Sequence, residues 1–229
     1  LSLIGHEVSS NPFKASTANR LQGELIMATQ SVTINNQSAH SAHLMVFQQN
    51  PGSLSADAMA LAWFSKFSDP GSNVEFGWDL TWGFSWADTG ALQAGITYNV
   101  NGTTDSQPTS NQITLDFNGA YQLTKPDRGP DPDLLYIVQD TTIPVASTAS
   151  VGVTMNGSTV YAVQATPNTN LTFTPHPSYF LAYGDYTPGL VLDLSSINNP
   201  LKLVYGPGVS GLQVTLNADN TWGPITTGS

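Results

Sequence analysis

Four histidines could carry chemistry in this chain: His6, His40, His43 and His176. His40 and His43 lie three residues apart. That spacing sets them on opposite faces of a strand but lets them converge in a turn. With His176 they could form a three-imidazole site for zinc or copper, for which neutral imidazole is a good ligand. No HxH pair suited to a strand and no HxxxH pair suited to a helix accompanies them. Surface histidines are the plainer reading, and neither a metal nor another cofactor is expected.

A denser group begins at the same His176, which stands between Pro175 and Pro177 and is followed by Tyr179, Phe180, Tyr183, Asp185 and Tyr186. Prolines restrict the chain and favour a preorganised site. Exposed rings beside a carboxylate suit a sugar. The ring stacks on the sugar's apolar face while polar groups take its hydroxyls, a mixture typical of ligand sites. The expected ligand-binding residues are therefore His176, Tyr179, Tyr183, Asp185 and Tyr186, with Trp222 as a neighbour from the C-terminal strand. The competing reading is a proline-shaped corner whose tyrosines cap the core.

Catalytic groupings are absent. Glu75 and Asp79 share one face of an extended segment, but strand rise puts them about 13 Å apart, beyond either glycosidase geometry. There is no GxSxG motif and no P-loop, and GPGVSG (Gly206–Gly211) lacks the strand–helix context of a dinucleotide site.

The element that must position these residues is VEFGWDLTWGFSW, Val74 to Trp86. Val74, Phe76, Trp78, Leu80, Trp82, Phe84 and Trp86 alternate with Glu75, Gly77, Asp79, Thr81, Gly83 and Ser85. Period two predicts one long strand, with an apolar face and a polar face, at the centre of a sandwich core. Thirteen residues would span about 43 Å, long for one strand. Gly77 and Gly83 mark places for a bend or bulge.

The 229 residues can bury a substantial core. Charged residues make up only 10 % and the net charge is −10. The six basic residues, Lys14, Arg20, Lys66, Lys125, Arg128 and Lys202, are scattered. No basic patch exists for nucleic-acid phosphates or anionic membranes. Cysteine is absent, which excludes disulfides and thiolate chemistry. No signal peptide or membrane helix is visible, and a start at Leu1 fits a processed mature chain or a trimmed one.

Along the chain, residues 1–30 lack a clean period and read as an N-terminal arm. Strands begin with SVTI, and HLMVFQQ (His43–Gln49) follows. A strand is expected from about Ala60 to Ser68, then a turn at Asp69-Pro70-Gly71 into the long strand. Asn101-Gly102, Asn118-Gly119 and Asn156-Gly157 are hairpin signals. Residues 125–133 read as a Pro-rich loop, and VTLNADNTW as a strand–turn–strand unit. The expected fold is all-β, a jelly-roll-like β-sandwich with at most one short helix, formed by residues 31–229.

HLMVFQQNPG, LAWFSKFSDPG, the W-x-x-x-W-x-x-x-W spacing and LTFTPHPSYFLAYGDYTPG together resemble the RhiA-like proteins, from about Ser31 to Trp222. That family is named after a rhizosphere-expressed bacterial protein and has relatives in fungi. The resemblance implies a small soluble β protein linked to life on or near plants and surfaces. It implies no reaction and brings no catalytic residues.

The expected function is thus a secreted, non-enzymatic binding or structural protein, lectin-like, whose partner is a glycan or cell-surface ligand. Nucleic acid and membrane are not expected partners. Few basic residues guard the strand edges, so homo-oligomers are expected. Two rivals stand beside this: a metal-dependent enzyme using the histidines, and a membrane-active β protein suggested by the long alternation.

Overall fold

The computed structural model describes residues 29–49, 57–175 and 177–228. Most of the expected N-terminal arm and His176 lie outside the described residues. In chain order the strands begin with β1 (Thr29–Asn36), β2 (Ala42–Gln49), β3 (Met59–Ala60), β4 (Ala62–Ser68), β5 (Asn73–Asp79) and β6 (Trp82–Asp88). Next come β7 (Gly102–Asp105), β8 (Gln112–Phe117), β9 (Tyr121–Asp127), β10 (Leu135–Gln139), β11 (Ala149–Met155) and β12 (Ser158–Gln164). The last are β13 (Thr169–Phe173), β14 (Ser178–Gly184), β15 (Leu201–Leu203), β16 (Gly211–Leu216) and β17 (Thr226–Thr227). Among the described residues helix is confined to one 3-10 turn, Leu194–Ser196, where the Asp193 side chain accepts from the Ser195 N–H.

The protein is an all-β sandwich built from four sheets. Their orders are β17-β16-β1-β5, β15-β14-β2-β4, β3-β12-β11-β6-β7 and β13-β10-β8-β9. Neighbours distant in sequence dominate, as in jelly rolls, and two pairs, β1–β16 and β8–β10, run parallel. The main core takes Val32, Ile34, Phe76, Trp78, Phe84, Val151, Val153 and Leu181 from three of these sheets, and Leu115 and Ile137 from the fourth. Burial of each such side chain contributes about 1.5–3 kcal/mol before chain entropy is set against it.

The stretch Val74–Trp86 is not one strand. It breaks at Leu80–Thr81 into β5 and β6, which belong to different sheets. The alternation carries across the break because both halves feed the same core, with Val74, Phe76, Trp78 and Phe84 all buried. An unbroken strand of thirteen residues would span about 43 Å, long for one strand, and at the break the chain passes from the β1 sheet to the β11 sheet. Leu80, at the break, is 39 % exposed.

The Asn-Gly hairpins form at two of the three expected places. Asn156 and Gly157 both have positive φ, 50° and 74°, as a two-residue I′ turn between β11 and β12 requires. Gly119, with φ 77°, turns β8 into β9. Asn101-Gly102 instead ends the long connection from β6 to β7, where Asn101 Oδ1 accepts from the Asp88 N–H at 2.7 Å. The strand expected near Ala60–Ser68 is divided at Leu61, which bridges to Val191. The expected loop at 125–133 starts later, because β9 continues to Asp127. Asn111 then ties the loop down, accepting from Gly129 N–H and donating to the Asp131 and Leu134 carbonyls.

Candidate functional site

The aromatic segment is mostly strand β14. Tyr179, Leu181 and Tyr183 keep period two and face the core side, with Phe180 on the other face between them. Strand rise separates Ser178 from Gly184 by about 20 Å. The expected site residues are consequently dispersed.

Tyr179 is buried among Trp63, Trp78 and Tyr205, with ring centroids at 6.2, 5.2 and 6.0 Å. Burial pushes its phenol up to about 12. Tyr183 is half-buried and meets Trp222 edge to face at 5.9 Å, so these two expected site residues lie together. Trp222 Nε1 donates to the Asn199 carbonyl at 2.8 Å. Asp185 is exposed, 3.9 Å from Nδ1 of His43. Tyr186 lines a separate recess of about 340 Å³ with Leu192, Asp193 and Ile197. Among the described residues no group of three metal-ligating side chains assembles. His40 is exposed, and His43 packs on Phe67 at 5.5 Å.

A more coherent site lies where β5 gives way to β6. Two recesses meet there, with Gln30 lining both. The inner recess, about 450 Å³, opens among Leu80, Trp82, Met155, Pro175, Pro177 and Tyr179. Its walls are apolar and ring-rich. Trp82 is half-buried against the core, and Tyr179 closes the bottom with its hydroxyl 3.8 Å from Sδ of Met155. The outer recess, about 350 Å³, is polar and includes Ser31, Glu75, Gly77, Asp79 and Asn156.

Local structure explains this arrangement. The tip of the β11–β12 hairpin clamps the break: Asn156 N–H donates to the Thr81 carbonyl at 2.9 Å, and Asn156 Oδ1 accepts from Asp79 N–H at 3.2 Å. Strands β1 and β5 pair so that Thr29 faces Asp79, Ser31 faces Gly77 and Thr33 faces Glu75. Strand β16 pairs Gly211 with Ser31 and Gln213 with Thr33. Cross-strand partners share a face. The outer face of this sheet is therefore wholly polar or glycine, while Val32, Ile34, Phe76, Trp78, Leu212 and Val214 fill the inner one. Gln30 Oε1 is buried and has no hydrogen-bond partner among the described residues.

Sequence reasoning missed Gln30, Ser31, Gly77, Trp82 and Asn156 as members of one site. Each half of the polar alternation was visible, in TQSVTINN and in VEFGWD. Their juxtaposition depends on cross-strand register between distant segments.

The RhiA family model matches residues 27–224. Protein RhiA of Rhizobium leguminosarum bv. viciae is similar to this chain, at 33 % identity over 224 residues that cover 96 % of this chain and 93 % of that protein. No solved structure matches.

Proposed function

This chain belongs to the RhiA family, and on that premise we propose that it is a non-enzymatic carbohydrate-binding protein acting outside the cell. The observation that carries this reading is the double recess at the β5–β6 break. A ring-lined inner pocket with Trp82, Tyr179 and two prolines stands beside a polar one with Glu75, Asp79 and Asn156. Rings offer stacking surface for a sugar's apolar face, and the neighbouring amides and carboxylates take its hydroxyls. Binding is favoured over hydrolysis because Glu75 and Asp79 are four residues apart on one strand, about 13 Å, and cannot flank a glycosidic bond as either glycosidase geometry demands.

The rival readings draw less support. A metal enzyme needs ligands that converge, and among the described residues they do not. A membrane-active protein needs a lipid-facing strand, yet both faces of β6 are covered by protein from Gly83 to Ala87, apart from half-buried Trp86.

A glycan array tests the proposal. The protein is expected to retain at least one neutral glycan, and Leu80→Asp, at the exposed lip of the inner recess, is expected to abolish retention while the melting temperature holds. Trp82→Ala serves as a second variant. Retention that survives both substitutions moves the site elsewhere, and no retention of any glycan removes the proposal.

A further inference from the structure

The outer recess continues into a trough that crosses the β1 sheet. Its floor is the row Gly211–Ser31–Gly77, one position from each of three adjacent strands. On one side stands the Thr29–Asp79 row, on the other the Gln213–Thr33–Glu75 row. Strand rise sets the two walls about 13 Å apart, and two strand spacings give the floor a length of about 10 Å.

The fold gives no reason for the floor to be so low. Gly77 and Gly211 lack the positive φ that would require glycine. A Cβ at Gly77 would meet nothing nearer than 3.9 Å, and one at Gly211 would come no closer than 3.4 Å to Ser31 Oγ, ordinary contact. Glycine inside a strand costs about 0.5–1 kcal/mol relative to alanine, and it often marks close approach of a ligand or another backbone. The atom nearest that Cβ is the Gln30 carbonyl oxygen of the paired strand β1, which leaves room for a methyl group.

The chemistry of the walls narrows the ligand. The side chains are hydroxyls, amides and the carboxylates of Glu75 and Asp79, with no cation at any of these positions. Lys66 of β4, itself exposed, is held at the edge of β5: its ammonium donates to the Glu75 carbonyl at 2.6 Å and sits 5.3 Å from the centre of the Phe76 ring. Carboxylates accept strongly from sugar hydroxyls and repel uronate or sulfate groups. A lone divalent cation is not favoured, since among the described residues no three ligating groups converge.

We propose that a linear, uncharged oligosaccharide lies in this trough across β16, β1 and β5, with one end reaching the ring-lined recess at Trp82. This rests on the carbohydrate reading above and names its ligand class. The test uses the full chain and calorimetric titration with neutral oligosaccharides of increasing length, beside the same sugars carrying uronic acids. Gly77→Thr fills the floor in a backbone conformation threonine readily adopts. It is expected to leave the melting temperature unchanged or slightly raised and to weaken oligosaccharides by about tenfold. Monosaccharide binding at the inner recess should be untouched. Glu75→Gln and Asp79→Asn should each weaken neutral oligosaccharides and relax discrimination against uronic acids. If Leu80→Asp abolishes binding while Gly77→Thr leaves oligosaccharide affinity at the wild-type value, the trough is wrong and the carbohydrate reading stands. Preference for anionic sugars overturns the trough as well. Failure of the unmodified protein to bind any sugar overturns both.

Discussion

Strands β5 and β6 carry one continuous alternation, yet their small-residue faces meet opposite fates. In β5, Glu75 and Gly77 face water and Asp79 is half-buried. In β6, Gly83, Ser85 and Ala87 are buried. The reason lies in what covers each sheet. A second, smaller core of Leu61, Tyr98, Ala162 and Val191 packs over Ala87 and its neighbours. Ser85 survives burial because its hydroxyl pairs with Thr159 at 2.9 Å and with the Tyr98 hydroxyl at 3.3 Å. Among the described residues no such layer covers β5, and Glu75 is exposed there. Two charges replaced by serine and alanine are the sequence trace of this difference. The two glycines sharpen it: a Cβ at Gly83 would lie 2.7 Å from Thr104 O and from Thr154 Oγ1, while one at Gly77 would meet nothing nearer than the Gln30 carbonyl oxygen at 3.9 Å, an ordinary contact. Gly83 is a packing residue, whereas no close contact requires glycine at Gly77.

The largest expected effect tests the buried sides of both strands. Tyr179 packs on Trp78 of β5, and Tyr98 bonds Ser85 of β6. Burial pushes both phenols up, with Tyr161 and Tyr205 shifted the same way. A phenol raised in the folded state stabilises the fold fully below pH 10, its ordinary value. As pH climbs, the unfolded chain loses the proton first and stability falls by about 1.4 kcal/mol per unit for each such group. Chemical denaturation followed from pH 8 to 12 should show a steep decline beginning near 10. Tyr179→Phe should flatten part of it, in the window between 10 and about 12.

Gly83→Ala comes next. Overpacking at 2.7 Å should cost about 1–3 kcal/mol, visible as a lowered denaturation midpoint. A wild-type midpoint would mean that β6 has room on its second face, and the contrast with β5 would fail. Asn156→Ala should cost about 1–2 kcal/mol, since alanine loses the bond from Asp79 N–H and fits φ 50° poorly. It should also loosen the clamp at the break and weaken any sugar bound there. The smallest expected change belongs to Gly77→Ala, which should be neutral or stabilising by up to about 1 kcal/mol.

Much of the architecture was legible because it is local. Period two in Val74–Trp86 correctly assigned Phe76, Trp78 and Phe84 to the core, and Asn156-Gly157 announced its own turn. The break at Leu80–Thr81 was not legible, since no glycine, proline or change of parity marks it. The tyrosines of β14 misled for a related reason. Tyr179 and Tyr183 keep period two with Leu181 between them, but Phe180 on the other face masks the pattern. Trp222 was expected near the segment that carries Tyr183, whereas the row Gly211–Ser31–Gly77 joins residues from three distant segments and depends on register alone.

The contrast between the two glycines reduces to one titration: a neutral linear oligosaccharide into the unmodified protein and into Gly77→Thr, with melting temperatures recorded on the same samples. Equal or higher stability with affinity lowered about tenfold is the predicted result. Equal affinity at equal stability would contradict it, and would return the outer face of the β1 sheet to an ordinary solvated surface.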